Sequence, residues 1–139
     1  PLEAELRSRI AARGVDNNVR LIGFVPDEEL PLAYAAADLT VVPSVALEGF
    51  GLVSVESMAA GTPVIGTPIG GTTEVLSGIS TALLTASAET EAIAAKLREA
   101  LSGKLAMPAP AECRRYALRF DWEAVWPNIE RVWQEADRR

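Results

Sequence analysis

The 139-residue chain is 49% hydrophobic and 23% charged, ordinary proportions for one globular domain with a single core. Its formal net charge of −6 and the absence of any Lys/Arg run argue against nucleic-acid binding. Arg114, Arg115, Arg138 and Arg139 form only isolated pairs, read as solvated helix faces. The absence of histidine excludes a Ser-His-Asp triad, a histidine base and the usual metal clusters.

Cys113 is alone, so no internal disulfide exists; this suits a reducing compartment and a cytoplasmic setting. Asp38 and Glu48 interrupt the longest apolar region, so neither a signal peptide nor a membrane span is expected. Peripheral attachment to a membrane through a further segment stays open.

Along the chain, helical patterns alternate with short apolar runs, the pattern of an α/β parallel sheet. Residues 2–12 read as a helix ending near Gly14, and residues 19–24 (VRLIGF) as a strand. Pro26 and Asp27 are expected to open a helix reaching about Ala37, with Asp27 as N-cap. Leu39 to Val42 reads as a buried strand ending at Pro43-Ser44, and residues 52–60 (LVSVESMAA) as a helix stopped by Gly61. Residues 63–66 (PVIG) give another short strand, Gly70-Gly71 a tight turn into a helical turn, and residues 82–84 a weak last strand. An amphipathic helix over 89–101 and a Pro/Gly-containing linker over 103–110 follow. Two helices, about 111–118 and 122–137, are separated by a break at Phe120-Asp121. The expected organisation is therefore an α/β core over 1–102, the linker, and C-terminal helices over 111–139.

The most informative stretch runs from Glu48 to Glu56 (EGFGLVSVE), with two carboxylates eight residues apart. Gly49 and Gly51 flank a turn where the backbone can take positive φ or approach a ligand closely. The helix start that follows is suited to a phosphate, through free N–H groups and the positive dipole end. Glu56 lies one turn into a helix that is apolar on nearly every side, where a buried carboxylate finds few partners and is costly unless paired. Phosphates at the helix start and hydroxyls over Glu56 would fit a sugar nucleotide. A structural ion pair for Glu56 in the core, with the glycines merely making a turn, is the plain alternative. Strand C-termini are where open α/β sheets bind ligands, so the loops 43–51 and 67–71 should converge.

The pattern PS-x3-EGFGL-x3-E-x-MAAGTPVIGT-x2-GG-x2-E, from Pro43 to Glu74, resembles the signature of retaining glycosyltransferases of the two-domain GT-B architecture. These are the glycogen synthase and sucrose synthase group, the glycosyl transferases group 1. Weaker similarity covers residues 18–39 and the RFDWEAV stretch at 119–125. The resemblance implies a partial Rossmann-like parallel sheet with flanking helices, the later part of the C-terminal, donor-binding domain. It also implies roles for particular residues. Glu56 would hydrogen-bond the donor's ribose hydroxyls, and Glu48, the expected catalytic-site residue, would lie near the donor sugar's hydroxyls. The backbone of Gly49, Phe50, Gly51 and Leu52 would contact sugar or diphosphate. Leu52 and Val53 at the helix start would stabilise the leaving diphosphate, and Phe24 and Val25 would lie where the base is seated. The donor would be a UDP-, GDP- or ADP-sugar, with no cofactor and no metal ion.

Other residues carry blander readings. Ser44 reads as a strand-end cap ahead of a ligand contact, and Glu74 as helix surface. Trp122, Trp126 and Trp133 fall at i, i+4 and i+11, a stripe that favours packing over carbohydrate stacking. Against the family pattern, the chain begins after the domain's first strand, helix and second strand, and lacks the acceptor-binding domain. Catalysis by the 139 residues alone is therefore not expected. The missing strands would leave open sheet edges, to be filled by a companion chain or by exchange in a dimer. Two rivals remain: a non-catalytic nucleotide-binding subunit working with a separate partner, and a phosphorylase or epimerase of the same architecture. A glycogen-type phosphorylase would need a lysine for pyridoxal phosphate, and neither Lys96 nor Lys104 is well placed for it.

Overall fold

A computed structural model describes residues 2–137; the Arg138 and Arg139 pair lies outside them. Two segments of β-branched residues make its sheet. Thr40–Val42 (β1) and Val64–Gly66 (β2) run parallel, with Thr40 opposite Val64 and Val42 opposite Gly66. The connection between them carries the helix Leu52–Ala60 (α3), so the unit is strand, helix, parallel strand. The remaining helices are Leu2–Ala12 (α1), Leu30–Ala35 (α2), Gly70–Ser77 (α4), Thr90–Leu101 (α5), Pro110–Ala117 (α6) and Trp122–Asp137 (α7). Short 3₁₀ turns occupy Thr81–Leu83 and Leu118–Phe120.

The chain divides into two compact units, one up to Leu30 and one from Pro31 onward. In the second, Val42, Met58, Val64, Val75, Leu76, Leu83, Cys113 and Ala117 form the core, with Val55, Tyr116 and Phe120 packed at its margin. α6 lies along α3, and α4 covers β2. Both ends of α3 are fixed by the backbone. Gly51 caps its start at φ 83°, and at its end Gly61 N–H donates to Met58 O and Thr62 N–H to Ser57 O. The Arg114 guanidinium from α6 adds a bond to Ala60 O at 3.0 Å, placing a cation at the negative end of the helix.

The α/β class, both strands of the sheet and the helix over 52–60 agree with the sequence reading. Three elements do not. Residues 19–24 form no strand: after Val19, whose N–H turns back to Val15 O, the backbone through Val25 makes no ladder bond, and Gly23 breaks the extended path at φ 70°. An extended segment without a neighbour does not hold as a strand. The helix expected from Asp27 begins only at Leu30, after a turn in which Glu29 and Leu30 N–H bond to Pro26 O. The weak strand at 82–84 is instead the 3₁₀ turn, which Ser80 caps; only Leu84 reaches the sheet, in a single parallel bridge to Gly66.

Candidate functional site

The loop after β1 and the loop after β2 meet. Gly71 N–H, at the start of α4, donates to both Glu48 O (3.3 Å) and Gly49 O (3.1 Å). The approach is so close that a Cβ on Gly70 would fall on Glu48 O, and one on Gly71 on Gly49 O and Phe50. A Cβ on Gly51 would stand 3.0 Å from Thr72 N. The starts of α3 and α4 therefore both face the Glu48–Gly51 loop. Neither has a side-chain cap, but they differ in one respect: the loop carbonyls occupy the Gly71 amide of α4, whereas no loop carbonyl takes up the first amides of α3. Its first backbone bonds come from Ser54 and Val55, both to Gly51 O, so Leu52 and Val53 N–H have no intrahelical acceptor. An open helix start beside a glycine turn is an anion site in form.

The two carboxylates flank this helix start. Glu48 is half-buried, and its Oε2 accepts the Ser44 hydroxyl at 2.5 Å, so Ser44 orients Glu48 where a strand-end cap was expected. The Ser44 carbonyl in turn accepts Thr67 Oγ1. Glu56 departs from expectation: it is exposed and has no ion-pair partner among the described residues. The reason lies in how α3 is turned. Ser54, Ser57 and Met58 face inward, while Leu52 (59% exposed), Val53 (43%) and Glu56 share the outward side. Small serines let α3 pack closely, with Ser57 Oγ bonding Thr40 Oγ1 and Thr62 O. The carboxylate thus avoids the burial cost and presents itself to solvent.

Sequence reasoning missed the partner of Glu56. Tyr34 on α2 donates its hydroxyl to Glu56 Oε2 at 3.1 Å. Partial burial, and then the hydrogen bond to Glu56 and its charge, push the Tyr34 hydroxyl up to about 12. The available signal was a single tyrosine in the alanine-rich YAAA run. A second missed feature is aromatic. Phe50 of the loop packs edge-on to Phe120 (5.7 Å between centroids), and Phe120 to Tyr116 (5.5 Å), with the Arg119 guanidinium over the Tyr116 ring. These residues and Glu74, Gly49 and Gly71 line a cleft of about 300 Å³. Phe24 and Val25 belong to the first unit, where Phe24 is 87% exposed. Glu74 lies on a helix surface as expected. The tryptophans do not pack into a core: Trp122, Trp126 and Trp133 are 72%, 46% and 63% exposed, and Trp126 and Trp133 meet edge-on. Among the described residues, no three acidic or cysteine side chains converge as metal ligands.

The comparison with protein families decides the affiliation: the Glycosyl transferases group 1 model matches residues 1–120. The chain belongs to the group 1 glycosyltransferases. Among its relatives, it is 41% identical over 131 residues to the D-inositol 3-phosphate glycosyltransferase of Thermobispora bispora, covering 93% of this chain and 30% of that protein. It is 34% identical to the phosphatidyl-myo-inositol mannosyltransferase of Mycobacterium leprae, covering 95% and 35%. A crystal structure of Anabaena HepE in complex with UDP matches 95% of the chain and 36% of its own, with a TM-score of 0.82 and 29% identity. The sucrose-phosphate synthase of Thermosynechococcus elongatus matches 97% and 34%, with a TM-score of 0.74 and 26% identity. The group 1 chain thus matches a fragment of the GT-B fold and spans about a third of the length of these relatives.

Proposed function

We propose that this chain is the donor-binding part of a retaining GT-B-type glycosyltransferase, which moves a sugar from a nucleoside diphosphate to an acceptor hydroxyl. The observation that carries the reading is the open start of α3, where Leu52 and Val53 N–H lack acceptors between the Ser44-held Glu48 and the exposed Glu56. The diphosphate sits on these amides. The dipole of α3 and its free N–H groups stabilise the charge that develops on the leaving diphosphate, a contribution of about 3 kcal/mol per well-placed donor. Glu48 orients the sugar hydroxyls, the backbone of Gly49, Phe50 and Gly51 lines the sugar and phosphate, and Glu56 takes the ribose. No metal ion takes part.

The UDP complex of the HepE relative supports a nucleotide at this fold and makes UDP the first nucleotide to try. The remainder of the active enzyme, an acceptor-binding domain and the first strands, is supplied by further sequence or a companion chain, and the 139 residues alone do not turn over. A strand-exchanged dimer is the other way to cover the open edge of β1. Sedimentation at increasing concentration separates the two: a monomer throughout excludes exchange.

The donor reading is tested by titrating the labelled chain with UDP, GDP and ADP while recording amide NMR spectra. One nucleotide should shift the Gly49, Gly51 and Leu52 amides, and Glu56→Ala should weaken binding at least tenfold, the effect of losing a hydrogen bond to a charged group. Unchanged, well-dispersed spectra at millimolar nucleotide would overturn the reading.

A further inference from the structure

We propose that Tyr34 is a positioning residue for Glu56: by holding one carboxylate oxygen, it aims the other at the ligand's ribose. The inference rests on the donor reading above and adds a residue to it. Glu56 stands on the outward side of α3, where a free glutamate side chain would sample several rotamers. Its one side-chain partner among the described residues is the Tyr34 hydroxyl, 3.1 Å from Oε2. An ionised carboxylate has about four acceptor positions on its two oxygens. The tyrosine occupies one of these on Oε2, leaving Oε1 open.

The tyrosine itself is held firmly. Its backbone carbonyl accepts Thr62 Oγ1 at 2.7 Å, and Thr62 is only 3% exposed. Thr62 is tied to the end of α3 by its N–H to Ser57 O (3.0 Å) and by Ser57 Oγ to Thr62 O (3.0 Å). Ser57 Oγ also reaches Thr40 Oγ1 in β1 at 2.8 Å. Ser57 and Glu56 are adjacent on α3. The same buried network that anchors the tyrosine backbone therefore fixes the helix bearing the glutamate, and a rigid frame sets the distance between the two side chains. The hydroxyl also stays protonated throughout neutral and moderately alkaline solution, so it remains a donor to the carboxylate.

Tyr34→Phe removes the hydroxyl and keeps the ring and the backbone anchor. The probe pair is UDP and 2′,3′-dideoxy-UDP, which differ only in the groups assigned to Glu56, with Glu56→Gln as reference. If both readings hold, the unaltered chain prefers UDP about tenfold, the Tyr34→Phe chain only about two- to threefold, and the Glu56→Gln chain scarcely at all. Affinity for the dideoxy compound and the melting temperature stay the same in Tyr34→Phe, which a merely structural role would not produce. Full discrimination by Tyr34→Phe would overturn the positioning role and leave the donor reading intact. No binding, or no discrimination, by the unaltered chain would overturn the assignment of Glu56 and the inference with it.

Discussion

At the scale of single residues, a methyl group at Gly71 is the smallest change expected to disturb the site. Its Cβ would meet the Gly49 carbonyl and Phe50, both on the backbone of the ligand loop, so relief requires the two loops to separate. Gly71→Ala is expected to cost about 1–3 kcal/mol in denaturant unfolding and to shift the Gly49 and Phe50 amides. A variant as stable as the parent, with those amides unmoved, would contradict the close approach. Three groups set the alkaline behaviour. Burial raises Cys113 and Tyr116, and burial followed by Glu56 raises Tyr34, from starting values of 9.0, 10.0 and 10.0. Each holds its proton more tightly in the folded chain, so above these values the folded state binds more protons than the unfolded one. Stability is fully present below about pH 9 and falls as pH rises, Cys113 acting first and Tyr34 last, toward about 12. Thermal melts from pH 8 to 12 should show this decline, shallower above pH 10 in Tyr34→Phe; a flat profile would contradict it.

At the scale of elements, the glycine loop is supported from the far end of the domain. Phe50 meets Phe120, which follows α6, and Tyr116 of α6 donates its hydroxyl to Val75 O on α4 at 2.6 Å. Phe120→Ala removes an edge-on pair contributing about 0.5–1.5 kcal/mol beyond buried area and should free the loop. Faster hydrogen exchange at Gly49, Phe50 and Gly51, with α5 unaffected, is the expected result; equal rates would mean the loop holds itself. Elements were legible in the sequence where local signals agreed. Apolar β-branched runs marked β1 and β2, and Gly61 marked the end of α3. The strand expected at 19–24 failed because a strand is a property of a pair, and apolar residues cannot supply their own neighbour. Glu56 was placed in an apolar environment because the α3 sequence shows which residues are apolar but not which way the helix is turned. Two inward serines, Ser57 hydrogen-bonded and Ser54 buried without a hydrogen-bond partner, reverse the usual rule. Tyr34, twenty-two residues before Glu56, could not be linked to it by spacing.

At the scale of the whole molecule, the second unit carries a complete strand–helix–strand crossover and the converged loops, but among the described residues only two paired strands. This part holds the features the donor reading needs: an open helix start, two carboxylates and the aromatic support behind the loop. Its exposed surface is rich in large apolar side chains, among them Leu47 (103% exposed), Trp122 and Trp133. Among the described residues, Leu47 is also the non-glycine residue at positive φ (57°), immediately before Glu48, so the loop stores backbone strain beside the proposed sugar site. The group 1 match runs over residues 1–120, and the chain spans about a third of the length of these relatives.

The measurement that tests this account most directly is a crystal structure of the chain with UDP bound. The account predicts the diphosphate against Leu52 and Val53 N–H, and the ribose hydroxyls on the Glu56 oxygen not held by Tyr34. A nucleotide lodged elsewhere, for instance in the cleft between Glu74 and Arg119, with the start of α3 empty, would contradict it.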